Sequence, residues 1–252
     1  MSEEIIFVHG WATDGRVWNR YAEKLAEGRE FLCIDLPGHG GDKENGSWDE
    51  PTLRPAVDSL MSSLPSSGEV IGVGWSLGAQ ALMAAAAEEP EKFKGLVLVG
   101  GTPCFMQRKN FPWALSKGRT KKLLDEVDKD HVKAVKRYFL LNFTPAELRS
   151  PAVRELLQHY GETETPMEFD DIKAASEALI ATDLRDRLRS IKTPTLIVHG
   201  ALDEVCPVGA AEYLADNIAG AELQVFEGAG HAPFITEPER FKKTIAEFLE
   251  KL

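Results

Sequence analysis

The sequence predicts an α/β fold in which a mostly parallel sheet carries helices on both faces and a helical insertion interrupts the pattern. Short apolar runs alternate with helical patterns along most of the chain, as is typical of strands buried in a parallel sheet. The chain has 252 residues, which is enough for one large domain with a substantial core. Between residues 104 and 182 the strand pattern stops and only helical patterns remain.

Six strands and five helices are predicted for the alternating part of the chain. The strands are expected at residues 5–9, 31–35, 70–75, 96–100, 195–200 and 223–226. The helices are expected at residues 17–27, 51–64, 76–88, 208–218 and 238–252. Because the strands are separated by helices rather than by tight turns, we expect parallel pairing throughout most of the sheet.

The helical insertion is predicted to form a cap over the active site. Residues 105–182 are assigned to this cap, and residues 1–104 and 183–252 to the core. Two helix starts are predicted inside it, at residues 144–147 (TPAE) and 165–168 (TPME). Each has a threonine N-cap, a proline at the first helical position and a glutamate that completes a capping box. We expect such a cap to influence which substrates are accepted.

The pentapeptide GWSLG at residues 74–78 lies where an apolar run changes into an Ala-rich helical run. A serine at a strand-to-helix junction of this kind is typical of a nucleophile elbow. Gly74 and Gly78 fit the tight turn because a Cβ at either position would collide with the neighbouring strand and helix. The amide end of the helix favours negative charge next to Ser76. A simple glycine turn is the alternative, and the flanking elements favour the elbow.

A serine nucleophile needs a base and an orienting acid. His231 lies in a glycine-rich loop directly after the last predicted strand, and Asp203 follows the predicted strand at residues 195–200. A helix N-cap is the alternative role for Asp203. The order Ser76, Asp203, His231 predicts a catalytic triad. The histidines expected in turns beside glycine are His9, His39 and His199.

Two backbone amides are predicted to bind the oxyanion of a tetrahedral intermediate. One is the amide of Leu77, directly after the nucleophile, and the other is the amide of Trp11 in the loop after the first strand. Losing one such donor costs about 3 kcal/mol of transition-state stabilisation. The ring of Trp11 is expected at the mouth of this loop, where it can also form a wall of the substrate pocket.

Composition excludes several classes of protein. Three cysteines are too few for a disulfide framework, which indicates a reducing compartment. The acidic amino terminus does not resemble a signal peptide, and no apolar stretch approaches the roughly 20 residues of a membrane span. We therefore expect a cytoplasmic monomer that binds no membrane. The histidine spacing shows no metal cluster, and Ser-His-Asp chemistry requires no cofactor.

The predicted cap is basic although the protein is acidic. Residues 108–154 contain twelve Lys or Arg and five Asp or Glu, a net charge of +7 in a chain of net charge −11. Lys129, Lys133, Lys136 and Arg137 are predicted to share one helical face. This face is either an ordinary solvated surface or a docking surface for an acidic partner. The residues assigned to docking are Lys133, Lys136, Arg137, Arg149 and Arg154. The negative net charge disfavours nucleic acid as a partner.

The HGW motif at residues 9–11 together with Ser76, Asp203 and His231 resembles the α/β-hydrolase superfamily. Within it, the segments 35–40, 74–78, 103–105, 137–138 and 230–235 resemble the pimeloyl-[acyl-carrier protein] methyl ester esterases of biotin synthesis. The resemblance covers nearly the whole chain and is looser in the cap. It implies an α/β-hydrolase fold and a serine carboxylesterase that acts through an acyl-enzyme on the methyl ester of a carrier-bound pimeloyl chain. An acidic carrier protein would then dock transiently on the cap.

The resemblance also implies which residues contact substrate. They are Trp11, Ser76, Leu77, Tyr138, Phe139, Leu140, Leu141, Asn142 and His231. The chain departs from the family pattern at Ala79, where a glycine is frequent, and at Tyr138, where a phenylalanine is known. Several cap cations are lysines rather than arginines, which weakens bidentate contacts with phosphate.

Two other functions are compatible with the sequence. A hydrolase of the same fold that acts on other small esters, thioesters or C–C bonds is the main alternative. A non-catalytic binding protein is disfavoured because every position needed for catalysis is filled.

Overall fold

The computed structural model describes residues 4–40, 46–66, 68–161 and 167–252, and within them six strands form one sheet. The strands are β1 Glu4–Val8, β2 Glu30–Ile34, β3 Val70–Trp75, β4 Phe93–Val99, β5 Thr195–Gly200 and β6 Glu222–Phe226. Their order across the sheet is β2-β1-β3-β4-β5-β6, and every neighbouring pair is parallel. The predicted parallel sheet is confirmed, with strand ends that differ from the predicted ones by up to three residues.

The helices connect these strands and cover both faces of the sheet. They are α1 Arg16–Ala26, α2 Arg54–Ser63, α3 Leu77–Glu88, α4 Lys117–Leu140, α5 Pro151–Gly161, α6 Phe169–Ala181, α7 Gly209–Asn217, α8 Pro233–Thr236 and α9 Pro238–Leu249. The five helices predicted between strands are all present as α1, α2, α3, α7 and α9. Within the described residues, no helix is both long enough and apolar enough to cross a membrane.

The core has two parts because side chains alternate between the faces of each strand. In β1, Ile6 and Val8 belong to the hydrophobic cluster on one face, while Ile5 and Phe7 belong to the cluster on the other. α3 is buried from Leu77 to Ala86, and its alanines allow the sheet and neighbouring helices to approach it closely. The nucleophile elbow therefore lies between a fully buried strand and a helix that is buried over most of its length.

The predicted insertion leaves the sheet after β4 and returns before β5. Its two ends meet, because Cys104 and Asp183 form an isolated antiparallel bridge and the Leu184 N–H donates to the Pro103 carbonyl at 2.8 Å. Within it, α4, α5 and α6 are the main elements. The division into a core and a cap of residues 105–182 agrees with this closure and remains a prediction.

α4 is interrupted at Asp130, whose φ of −164° and ψ of 86° are not helical. The Asp130 carboxylate accepts the N–H of Lys133 at 3.1 Å, as an N-cap does for a new helix. Lys129 therefore precedes the interruption, whereas Lys133, Lys136 and Arg137 follow it. The prediction that these four residues share one continuous helical face is wrong.

The two predicted helix starts have different outcomes. At the first, the Thr144 N–H donates to the Glu147 carboxylate at 2.7 Å and the Glu147 N–H donates to the Thr144 hydroxyl at 3.2 Å, which is the predicted capping box. It opens only a short 3₁₀ turn, Glu147–Arg149, because Ser150 is extended before Pro151 and then caps α5. The second start, at residues 165–168, falls partly on residues 165 and 166, which lie outside the described residues.

Candidate active site

Ser76 lies alone between β3 and α3 in an unusual backbone conformation. Its φ of 55° and ψ of −110° are rare for a residue with a side chain. The Ser76 N–H donates to the Val99 carbonyl at the end of β4 at 2.9 Å, which ties the turn to the neighbouring strand. Such strain is maintained only where the surroundings enforce it, and it is frequent at functional sites.

The two glycines of the pentapeptide create the space that this turn needs. A Cβ on Gly78 would lie 2.5 Å from the carbonyl oxygen of Val8 and 2.6 Å from that of His9. A Cβ on Gly74 would lie 2.7 Å from the carbonyl group of Gly78. The steric reason predicted for both glycines is therefore confirmed. The absence of a side chain at Gly78 also allows the loop after β1 to lie directly beside the start of α3.

Asp203 lies in the turn after β5, where backbone amides hold one of its oxygens. Its Oδ1 accepts the N–H groups of Val205 and Cys206, both at 2.8 Å. The helix that follows begins only at Gly209, with Val208 as its N-cap residue, so the alternative role of Asp203 as a helix N-cap is wrong. The second oxygen, Oδ2, is left to face the loop that carries His231.

His231 is buried and is fixed on both sides. Its Nδ1 lies 2.6 Å from Oδ2 of Asp203, its backbone N–H donates to the Asn142 carbonyl at 2.8 Å, and its carbonyl accepts the indole N–H of Trp75 at 3.0 Å. Its Nε2 has no hydrogen-bond partner among the described residues. A Cβ on Gly100 would approach the imidazole to 2.9 Å. The imidazole ring thus packs beside the ends of β3 and β4. These two ends are joined by the hydrogen bond from the Ser76 N–H to the Val99 carbonyl.

The electrostatics of this pair follow from burial and hydrogen bonding. Burial alone would raise the pKa of Asp203, but the interactions with His231 and His199 outweigh it and hold the pKa well below its usual range. Asp203 is therefore ionised at neutral pH and can only accept hydrogen bonds. The proton between the two residues then belongs to Nδ1 of His231, which leaves the Nε2 lone pair free to accept a proton.

His199 is a second histidine at this acid. It lies in β5 rather than in a turn, and its Nε2 is 2.7 Å from the Cys206 carbonyl oxygen and 3.3 Å from Oδ2 of Asp203. Burial lowers its pKa, while the hydrogen bond and charge of Asp203 raise it, with a net rise. Its position four residues before Asp203, at the end of a strand, was the available signal in the sequence.

The two predicted oxyanion donors belong to different segments, the elbow itself and the loop after β1. Leu77 is the first residue of α3, so its N–H is one of the helix amides without an intrahelical acceptor. Trp11 belongs to the loop after β1, in which Ala12 has a φ of 55°. The neighbouring amides are used inside the protein, since Thr13 donates to Gly10 at 3.3 Å and Ala12 donates to His39 Nε2 at 3.3 Å.

Two buried imidazoles support this loop. His9 and His39 are completely buried, with ring centroids 4.8 Å apart. Nε2 of His9 accepts the Leu36 N–H at 2.9 Å, and Nε2 of His39 accepts the Ala12 N–H. Burial lowers the pKa of both residues, that of His39 to about 3. Both are therefore neutral at physiological pH, as their acceptor role requires.

A cavity opens next to Ser76, which is one of its lining residues. The predicted substrate contacts Trp11, Tyr138, Phe139, Leu141 and Asn142 line it. Sequence reasoning missed further lining residues, most of them apolar and from the insertion: Phe105, Leu115, Arg119, Leu123, Val135, Leu179, Glu204 and Val205. Among the described residues, no group of three or more His, Cys, Asp or Glu side chains is placed to hold a metal ion.

Three predicted contact residues do not line this cavity. Leu140 is 44% exposed on the outside of the protein, whereas Leu77 and His231 are buried and do not reach the surface of the cavity. Trp11 is the link between the loop after β1 and the insertion, because its indole N–H donates to the Ser176 hydroxyl at 3.1 Å and its ring meets the Tyr138 ring edge-on at 6.3 Å. Only the folded structure shows that residues so far apart in sequence lie side by side at this cavity.

The basic residues assigned to docking are spread over three elements. Lys133, Lys136 and Arg137 lie in α4, Arg149 in the 3₁₀ turn and Arg154 in α5. Lys133 pairs with Asp130 at 2.7 Å, and Arg137 pairs with Glu126. Lys136, Arg149 and Arg154 form no ion pair with any described residue.

Comparison with known proteins gives a consistent result. Residues 5–244 match the Alpha/beta hydrolase family. The chain is 31% identical over 240 residues to the pimeloyl-[acyl-carrier protein] methyl ester esterase of Nitrosomonas europaea, covering 94% of this chain and 92% of that protein. It is also 31% identical to the protein of the same name from Aromatoleum aromaticum, with 94% of each covered.

Solved structures resemble the fold over almost the full chain. An esterase from Exiguobacterium antarcticum has a TM-score of 0.88 at 24% identity, covering 99% of this chain and 93% of that one. A bromoperoxidase from Bacillus anthracis has the same TM-score at 20% identity, with 99% and 92% covered. At these identities the likeness supports the fold alone.

Proposed function

This chain belongs to the alpha/beta hydrolase family, and we propose that it is a serine carboxylesterase that hydrolyses the methyl ester of a carrier-bound pimeloyl chain in biotin synthesis. The hydrogen bond of 2.6 Å between Asp203 and His231, beside a strained serine at the mouth of an apolar cavity, supports the chemistry. The names of the relatives support the substrate. Three free cysteines fit a reducing compartment, and we assign the enzyme to the cytoplasm as a monomer.

In the proposed reaction, Ser76 Oγ attacks the carbonyl carbon of the methyl ester. Nε2 of His231 accepts the hydroxyl proton, and Asp203 stabilises the resulting imidazolium through its bond to Nδ1. The positive φ of Ser76 separates its hydroxyl from both backbone arms, which leaves the hydroxyl accessible to the substrate carbonyl.

The tetrahedral intermediate places a negative charge on the former carbonyl oxygen. The amides of Leu77 and Trp11 donate to this oxygen, and the N-terminus of α3 adds a favourable dipole. The intermediate collapses when the His231 imidazolium gives its proton to the methoxy oxygen, and methanol leaves an acyl-enzyme on Ser76. A water molecule, deprotonated by His231, then releases the acid and restores the serine.

The cavity is suited to an acyl chain. Its walls near Ser76 are largely apolar and include Phe105, Leu115 and Val135, so that burying a chain of methylenes there is favourable by about 0.8 kcal/mol for each. Its charged lining residues are Arg119 and Glu204. The far end of the pimeloyl chain is attached to the carrier, and we place the carrier outside the insertion.

We propose that the basic insertion receives an acidic carrier protein. The ion pair of Lys133 with Asp130 is exposed, so exchanging Asp130 for a carboxylate of a carrier costs little, whereas the Glu126 partner of Arg137 is partly buried. Arg149 and Arg154 are exposed and form no ion pair with described residues, which leaves them available as well. The opposite charges of this segment and of the carrier would mainly accelerate association.

The proposal is tested by genetic rescue and by substrate comparison. The gene is expected to restore biotin-free growth to a strain that lacks its own pimeloyl-ester esterase, and the Ser76→Ala variant is the inactive control. In vitro, the carrier-bound methyl ester should be turned over with a higher kcat/KM than p-nitrophenyl esters of any acyl length. Failure to rescue, together with a preference for short esters, would assign the protein to the broad-specificity alternative.

A further inference from the structure

The acid of the proposed triad contacts a second buried histidine that the proposed mechanism does not use. Nε2 of His199 lies 2.7 Å from the Cys206 carbonyl oxygen and 3.3 Å from Oδ2 of Asp203. A carbonyl and an ionised carboxylate can only accept hydrogen bonds. Nε2 of His199 must therefore carry a proton. Nε2 carries a proton both in the neutral Nε2–H tautomer and in the imidazolium, so either form of the ring satisfies this condition.

The Asp203 carboxylate accepts three hydrogen bonds and has His199 as a further polar neighbour. Its Oδ1 accepts the amides of Val205 and Cys206, and its Oδ2 accepts Nδ1–H of His231 and lies 3.3 Å from Nε2 of His199. The Nε2–H of His199 is bonded to the Cys206 carbonyl, so that its partial positive charge lies beside Oδ2. The carboxylate cannot rotate about its Cβ–Cγ bond without breaking these hydrogen bonds and losing the contact with His199.

Packing alone does not account for an imidazole at position 199. The side chain is completely buried, and its Nδ1 has no hydrogen-bond partner among the described residues. An unsatisfied buried polar atom costs about 1–3 kcal/mol, which an apolar side chain such as that of the neighbouring Val198 avoids. What distinguishes His199 from an apolar residue is the pair of acceptors on its Nε2 side.

We propose that His199 is a positioning residue, which holds the Asp203 carboxylate in the orientation that lets Oδ2 accept Nδ1–H of His231 while Ser76 is deprotonated. This inference rests on the proposed roles of Ser76, Asp203 and His231 and not on the identity of the ester. The titratable group in contact with His199 is Asp203, whose Oδ2 is bonded to His231, and the backbone carbonyl of Cys206 is its other polar neighbour.

The consequence for the reaction has two parts. Without His199, the carboxylate gains rotational freedom, and a misplacement of about 1 Å can lower turnover about 100-fold. In addition, Oδ2 loses the partial positive charge of His199 Nε2–H beside it, so that its negative charge acts on the imidazolium of His231 alone. The acidic limb of the pH–rate profile then moves to higher pH. A residue that only fills space would not move this limb.

The kinetic test uses His199→Met and His199→Gln with p-nitrophenyl acetate as the substrate. The Met variant should lose about 10–100-fold in kcat with KM within two-fold of wild type, and its acidic limb should move to higher pH. The Gln variant, whose amide keeps a donor near the Nε2 position, should recover most of kcat and the original profile. Val198→Ala, in the same strand, is the control for lost packing. Full activity of the Met variant with an unmoved profile, or the same shift in Val198→Ala, would overturn the proposal.

A second measurement needs no variant. In ¹⁵N-labelled wild-type protein, nitrogen chemical shifts report which nitrogen of each histidine carries the proton. The proposal requires a protonated Nε2 in His199, and an unprotonated Nε2 at neutral pH would exclude the donor and with it the proposal. This result is independent of the proposed function. If Ser76→Ala kept its activity, the triad would be wrong whatever the spectrum of His199 showed.

Discussion

The residues proposed for chemistry and the insertion proposed for specificity are held by different kinds of interaction. Asp203 and His231 are buried: Asp203 accepts two amides of its own turn, and His231 is bonded to the Asn142 carbonyl, the Trp75 indole and Asp203. In the insertion, the charged residues of α4 form ion pairs with one another in solvent. Buried bonds that cannot be exchanged with water fix geometry, while exposed pairs contribute about 0–1 kcal/mol each and are easily replaced.

The two regions nevertheless touch at a few buried points. The Asn142 carbonyl accepts the His231 N–H at 2.8 Å, and the Glu147 carboxylate accepts the Gly230 N–H at 3.1 Å. The insertion is therefore firmly attached where it meets the histidine loop, and its charge is exposed elsewhere. We therefore expect large effects from substitutions of the buried residues proposed for chemistry. Substitutions of the exposed charged residues of the insertion should have small effects that depend on the substrate.

The largest effect is expected from the nucleophile and the base. Ser76→Ala and His231→Ala should each lower kcat on a p-nitrophenyl ester by roughly 10⁴- to 10⁶-fold, because either change removes the covalent step. The double variant should be no slower than the single ones, since the two residues act as a unit. Ser63→Ala on the exposed end of α2 is the control. Additive losses would contradict the proposed pair.

Asp203→Asn should have the next largest effect. The amide can keep the backbone bonds but no longer stabilises an imidazolium, so we expect kcat to fall by about 10⁴-fold with KM little changed. Circular dichroism should show an intact fold. Asp216→Asn, at an exposed position of α7, removes the same charge away from the cavity and should stay within a few-fold of wild type. Equal losses in both variants would mean that net charge, and not the geometry of Asp203, matters.

The buried histidines predict that the protein loses stability in mild acid. Burial lowers the pKa of His39 from 6.5 to about 3, so that between these values the unfolded chain binds a proton that the folded chain does not. The free energy of unfolding should therefore fall as the pH decreases from about 6.5, by up to about 1.4 kcal/mol per pH unit for this group. Urea titrations at several pH values measure this slope.

His39→Gln is the matching variant for this slope. It should be less stable than wild type at pH 7, because the Ala12 N–H loses its partner, but its stability should depend less steeply on pH between 6.5 and 4. Ser63→Ala on α2, which changes no titratable group, should keep the wild-type slope. A slope unchanged in His39→Gln would show that other groups cause the acid sensitivity.

The smallest effect is expected from the basic insertion. Lys133→Glu combined with Arg137→Glu should lower kcat/KM for the carrier-bound ester by about ten-fold and leave a small ester within two-fold. Added salt should slow the first reaction and not the second. Lys242→Glu with Lys243→Glu on α9 makes the same charge change elsewhere and is the control. Equal losses on both substrates would indicate damage to α4, and no loss on either would leave an ordinary solvated surface.

Much of the fold and of the candidate site could be read from local patterns. Buried strands, the GWSLG junction and the chain order of Ser76, Asp203 and His231 each depend on residues close in sequence or on the alternation of elements. Two local features were missed. The interruption at Asp130 separates Lys129 from the other cations, and a proline after Ser150 limits the first capped turn.

The sequence by itself determined the parallel sheet, the strand-to-helix turn at Ser76 and the reason for its glycines, because apolar periodicity and steric limits on the backbone are local properties. The tertiary structure alone decided that His199 meets the same carboxylate as His231, that Leu140 lies outside the cavity, and that Phe105, Leu179 and Val205 line it. Hydrogen bonds and cavity walls join residues far apart in the chain, and their partners are specified only when the elements pack.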